Sequence, residues 1–151
     1  MAKSANVTKY DAGGTGDNLI PDGYIKAVEK VWIDTYTYSS AATIGIGLVV
    51  EVAKIPENKK VTSIQVFGLG TIANTTSTVQ IGCKSTDNTT TNSTQFLAAT
   101  VYGSAASTLP ITANTGLGVA LTGGVNTITL LFAAANQTVT GGTITTVVRY
   151  T

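Results

Sequence analysis

Ile44-Gly45-Ile46-Gly47-Leu48-Val49-Val50-Glu51-Val52-Ala53-Lys54-Ile55-Pro56-Glu57-Asn58-Lys59-Lys60-Val61-Thr62-Ser63-Ile64-Gln65-Val66-Phe67 decides the fold class of this chain. Ile44, Ile46, Leu48, Val50 and Val52 occupy alternate positions, with Gly45, Gly47, Val49 and Glu51 between them. A period of two places the first set on one face of a strand; on a helix the same residues would scatter around the axis. Residues 55–59 interrupt the run with Pro56, which has no N–H to give to a central ladder, so they read as a turn. Residues 61–67 then form the next strand.

The same period extends in both directions. Tyr24, Lys26, Val28, Lys30, Trp32 and Asp34 alternate with Ile25, Ala27, Glu29, Val31, Ile33 and Thr35, giving a long first strand or two strands meeting at a bend. Further strands are expected at 78–83, 95–101, 118–121, 126–132 and 143–150, with a polar loop over 85–94 and an irregular crossing over 104–114 that contains Pro110. About eight strands, with turn signals between them and no helical pattern, predict an all-β antiparallel β-sandwich. Eight strands suit a jelly-roll-like arrangement better than a smaller immunoglobulin-like one. Residues 1–23, with Gly13, Gly14 and Gly16 among polar neighbours and a turn at Pro21-Asp22-Gly23, read as an extended Gly-rich N-terminal arm. Residues 24–151 form the single β-sandwich domain.

Composition removes much ordinary chemistry. The chain has 151 residues, no histidine and one cysteine, Cys83, which excludes Ser-His-Asp and Cys-His catalysis, Cys/His zinc sites and an intrachain disulfide. Nine Lys+Arg against eight Asp+Glu give a net charge of +1, with no basic excess to drive nucleic-acid binding. Fourteen of these 17 charges (9 + 8) lie in the first 60 residues; only Lys84, Asp87 and Arg149 follow. The remainder is rich in Thr, of which the chain holds 28. A surface of hydroxyls and small apolar groups is poorly protected from self-association and fits one covered by partners. No apolar run approaches the roughly 20 residues that span a bilayer, and the first six residues do not form a secretory signal. The expectation is a soluble protein made in a cytoplasm, with no membrane partner. The five Asn-x-Thr triplets, at Asn6, Asn74, Asn88, Asn92 and Asn136, follow from the Thr content.

Several local patterns imitate functional sites. Gly68-Leu69-Gly70-Thr71-Ile72-Ala73 matches a dinucleotide fingerprint, but Asn74-Thr75-Thr76-Ser77-Thr78 is a poor start for the helix that fingerprint needs. Ser85-Thr86-Asp87-Asn88-Thr89 offers one carboxylate, and Asp11, Asp17 and Asp22 are widely spaced, so neither reads as a metal cage. Glu29, Asp34, Glu51 and Glu57 could in principle run glycoside hydrolysis as a pair, though surface and ion-pair roles suit them. Cys83 shares a face with Val79 and Ile81 and reads as a small buried hydrophobe. Trp32, with Tyr24, Tyr36 and Tyr38, forms the one aromatic concentration. These rings either pack in the core or at a subunit interface, or stack on sugars. No catalytic residue, cofactor or metal site is expected.

Gly23-Tyr24-Ile25-Lys26-Ala27-Val28-Glu29-Lys30-Val31-Trp32-Ile33-Asp34-Thr35-Tyr36, residues 51–64 with their Ile-Pro turn, and Gln95-Phe96-Leu97-Ala98-Ala99 resemble small virion structural proteins of tailed bacteriophages. In that family a Gly-rich arm precedes a β-sandwich that decorates or cements the capsid. The resemblance implies a capsid decoration protein on the outer surface of the virion, bound to the major capsid protein and to neighbouring copies of itself as a dimer or trimer. Arm residues Lys9, Tyr10, Asp11, Asp17, Asn18 and Ile20 would make capsid or subunit contacts, and Tyr24, Trp32 and Tyr36 would serve as interface or packing aromatics. The resemblance also admits a head-fibre, tail-fibre or receptor-binding module contacting host glycans.

Overall fold

A computed structural model describes residues 2–3, 29–38, 42–44, 47–68, 78–86, 91–102, 111–133, 137–139 and 142–151. In chain order the strands are β1 (Ala2–Lys3), β2 (Lys30–Tyr38), β3 (Ala42–Ile44), β4 (Val49–Ile55), β5 (Val61–Phe67), β6 (Thr78–Ser85), β7 (Thr91–Val101), β8 (Ile111–Thr112), β9 (Asn126–Ala133), β10 (Gln137–Val139) and β11 (Gly142–Tyr150). Two sheets carry the fold, in the orders β1-β4-β9-β6-β7 and β2-β11-β5-β8; β3 and β10 form a separate ribbon. Every pairing is antiparallel except that of β1 with β4. The chain therefore moves from β2 to the other sheet at β4, back at β5, across for β6 and β7, back at β8, across at β9 and back at β11. The all-β antiparallel sandwich expected from the sequence is the fold observed.

The inner faces of the two sheets meet in one core. Val50, Val52, Ile55, Val79, Ile81, Phe96, Ile128, Leu130 and Phe132 come from the five-stranded sheet, and Val61, Ile64, Val66, Ile144 and Val148 from the other. The alternation in β2 behaves as its period requires. Trp32, Asp34, Tyr36 and Tyr38 point inward, while Val31, Ile33, Thr35 and Thr37 are exposed.

Four expectations change. Residues 111–112, inside the expected irregular crossing, form β8 beside β5, pairing Ile111 with Val66 and Thr112 with Gln65. The run from Ile44 to Val52 is not one strand: β3 ends at Ile44 and β4 begins at Val49. Gly47 turns with φ +87, and the Gly47 and Phe132 N–H groups donate to the Phe132 and Leu48 carbonyls. A left-handed glycine ends a strand however well its neighbours alternate. Residues 118–121 do not form a strand either; only Lys60 and Ala120 bridge. Gly116 and Gly118 both have positive φ, so the segment bends and drops Leu121 into the core, held by Asn58 N–H to the Leu121 carbonyl at 2.7 Å. Finally, β7 begins at Thr91, inside the expected polar loop. Threonine is β-branched and suits a strand even where its polarity resembles a loop.

Candidate functional site

Glu51 and Lys54 lie three residues apart on a strand, which normally puts them on opposite faces. They share a face because β4 carries a bulge. Glu51 pairs with Thr129 and Ala53 with Ile128, so Val52 is the extra residue. Glu51 and Lys54 thereby emerge on the outer side of the five-stranded sheet, with Lys54 Nζ 3.5 Å from Glu51 Oε2 and donating to Thr127 Oγ1 at 2.9 Å. Thr127 is the register partner of both Lys54 and Lys84, so two lysines flank a threonine across three strands. Glu51, Lys54, Lys84, Ser85, Thr86 and Thr127 line a cleft of about 200 Å³. Glu51 is only 5% exposed, and its Oε2 makes no hydrogen bond. Two ammonium groups, one carboxylate and three hydroxyls can hold a polar group. A single carboxylate does not supply the acid-base pair of glycoside hydrolysis.

Lys54→Met should cost about 2 kcal/mol in urea unfolding, because it strands a largely buried carboxylate. That is less than a fully enclosed pair loses, since water reaches the cleft. Adding Glu51→Gln should recover most of the loss.

The other acids are dispersed. Glu29 accepts from the Thr62 hydroxyl and from Arg149 Nη1 at 3.4 Å. The Thr62 bond holds its carboxyl below the usual range, helped by Arg149 and opposed by desolvation. Asp34 is buried on the inner face of the four-stranded sheet and accepts from the Thr35 N–H at 2.8 Å. Glu57 accepts from the Gly123 N–H at 3.2 Å in the proline turn. Among the described residues no group of three or more Cys, Asp or Glu is placed to hold a metal.

Trp32 and Tyr36 are half-buried and pack against the core. Tyr36 meets Tyr38 edge to face at 4.7 Å, and Tyr38 and Tyr102 both meet Phe132, at 6.4 and 5.9 Å. Tyr24 and the arm residues Lys9, Tyr10, Asp11, Asp17, Asn18 and Ile20 lie outside the described residues. The N-terminal segment does enter the fold at its start: Ala2 and Lys3 pair in parallel with Val50 and Glu51 on the β4 edge. Of the fingerprint at residues 68–73 only Gly68 is described. It has φ +82, and a Cβ there would run into the Thr143 carbonyl oxygen, so close crossing of β5 and β11 accounts for that glycine.

Cys83 is buried, with Sγ donating to Asn126 Oδ1 at 3.3 Å. Burial pushes its thiol up to about 11. The folded chain should therefore resist iodoacetamide at pH 8, where the group stays protonated, and react promptly once unfolded in urea.

The sequence did not reveal the outer face of the four-stranded sheet as a surface of interest. Val31, Ile33 and Phe67 are exposed there by 37%, 59% and 36%. The available signal was in β2, where Val31 and Ile33 make the second face of the strand apolar as well as the first.

No protein-family model matches the chain, and no curated protein matches it. Its fold is shared by chains in three solved phage capsids. A chain of the cyanophage Pam1 capsid asymmetric unit has a TM-score of 0.65 at 19% identity, with 89% of this chain and 93% of that one covered. A chain of the Ralstonia phage GP4 capsid has a TM-score of 0.59 at 15% identity, covering 87% of each. A chain of the acid-stable capsid of Helicobacter pylori bacteriophage KHP30 has a TM-score of 0.55 at 13% identity, covering 84% of this chain and 90% of that one. At these identities, what the four chains have in common is the fold.

Proposed function

We propose that this chain is a non-enzymatic phage virion structural protein that decorates and stabilises the outer surface of a capsid. It binds the major capsid protein and neighbouring copies of itself, as a dimer or trimer. One observation carries the reading: a fold shared with chains from three phage capsids over 84–89% of this chain. The passage of the chain between sheets supports a jelly roll, an architecture common in capsids.

The mechanism is geometric. Once one copy of an associated pair is seated, its partner binds at a high effective concentration, so modest contacts multiply across a lattice. The arm adds contacts through Lys9, Tyr10, Asp11, Asp17, Asn18 and Ile20. Ala2–Lys3 pair within the chain on the β4 edge, which shows that this end can adopt the extended conformation strand addition needs. A glycan-binding fibre module needs exposed stacking rings, whereas Trp32 and Tyr36 pack against the core.

Deleting residues 1–20 should weaken co-sedimentation with capsids lacking this protein by at least about tenfold, or about 1.4 kcal/mol, with the circular-dichroism spectrum unchanged. Undiminished binding removes the arm from the mechanism. If the full chain does not co-sediment at all, decoration is the wrong function.

A further inference from the structure

We propose that the outer face of the four-stranded sheet is a self-association surface, on which a second copy of this chain packs face to face about a two-fold axis. The register sets out this face as a grid. Val31, Arg149 and Ser63 form one row, Ile33, Val147 and Gln65 the next, then Thr35, Thr145 and Phe67, and finally Thr37 and Thr143. Three of the five large exposed hydrophobic residues among those described, Val31, Ile33 and Phe67, converge here. The opposite outer face of the sandwich differs: it carries Glu51, Thr127 and Thr129, all buried.

Charge favours a second copy over a foreign partner. Among the described residues the one ion pair on the face is Arg149 with Glu29, at 3.4 Å, and the two charges balance. A two-fold contact brings a surface against itself, so any unbalanced charge near the axis would meet its own like. The described residues of this face carry none, and equally offer no unbalanced charge for a different protein to complement. Thr35 and Thr145, with hydroxyls 3.4 Å apart, can each donate or accept, so the same hydroxyl row can pair with its copy.

The area fits a weak dimer. Three strands about 4.8 Å apart and up to nine residues long at about 3.3 Å per residue present roughly 400 Å² in projection, and about 500 Å² with side-chain relief. Two such faces bury about 1,000 Å², the lower bound for a specific interface. The expectation is a micromolar equilibrium, which a capsid lattice would drive to completion. This deepens the multivalent reading by naming where copies meet, yet it is measured without capsids, so the two can fail separately.

Sedimentation equilibrium of the full chain from about 10 µM to about 1 mM tests it. Wild type should shift from monomer to dimer across that range. Ile33→Lys should weaken dimerisation at least about tenfold while leaving the urea midpoint unchanged, since the side chain is exposed. Thr145→Lys, which places a charge in the next row, should do the same and serves if the first variant folds poorly. A wild type that stays monomeric to about 1 mM overturns the proposal. So does dimerisation that neither lysine disturbs. Loss of capsid binding by Ile33→Lys in a protein that never dimerises would assign the face to the capsid and overturn self-association.

Discussion

Replacing Phe132 by alanine is expected to lower the free energy of unfolding by about 4 kcal/mol, read as a fall in the urea midpoint at unchanged slope. Phe132 is 2% exposed on β9 and receives the edges or faces of Tyr38, from the opposite sheet, and Tyr102. Truncation removes the ring, leaves a cavity that two rigid sheets cannot close, and ends two aromatic contacts worth about 0.5–1.5 kcal/mol each. A domain of this size is typically stable by about 5–15 kcal/mol, so the variant should remain folded in water by about 1–11 kcal/mol and give a measurable urea transition. Phe132→Leu keeps most of the volume and should cost about 1 kcal/mol. A loss below about 2 kcal/mol for the alanine variant would mean that the sheets do not close on this ring.

Gly82→Ala should cost about 3 kcal/mol, and Gly82→Val should abolish folding at moderate temperature. Ile81 pairs with Leu97 and Cys83 with Asn92, so residues 93–96 of β7 form a wide bulge opposite the single residue Gly82. That bulge delivers Phe96, 0% exposed, into the core. It also lays the β7 backbone directly over Gly82. A Cβ there would meet the Asn92 carbonyl oxygen and lie 2.5 Å from Ser93 Cα and 2.6 Å from its carbonyl carbon. These are backbone atoms and no rotamer change relieves them. Gly118 is the control. It has φ +77 but open space around it, so Gly118→Ala should cost only the left-handed backbone penalty of about 1–2 kcal/mol. Equal losses at the two glycines would show that the bulge does not press on Gly82. Thermal or urea unfolding of the two alanine variants, side by side, decides the matter.

Both variants act on the scaffold, while the proposed contacts act on its edges and faces. That separation makes the functional predictions testable: Ile33 and Thr145 project from the sandwich, and residues 1–20 precede its first long strand. A shared fold hosts many functions, so tests of the proposed function are directed at those surfaces.

The alternation of apolar residues determined the all-β class, the Pro56 turn, β5 and the inward direction of Trp32 and Tyr36. Each depends only on a local period of two and on proline's missing donor. The absence of histidine and the single cysteine likewise fixed which chemistries could not be present. Tertiary pairing decided the rest. Counting by twos from Glu51 puts Lys54 on the other face, and only the bulge at Val52, imposed by pairing with β9, brings the two together beside Thr127 and Lys84. Bends at Gly47, Gly116 and Gly118 broke runs that alternate well, and the parallel placement of Ala2–Lys3 on β4 joins residues almost fifty positions apart. The open grid around Ile33 and Val147 exists only because β2, β11 and β5 lie side by side. Side-chain period is a property of neighbours along the chain. Register, bulges and shared surfaces are properties of neighbours in space, so a single sequence leaves them unread.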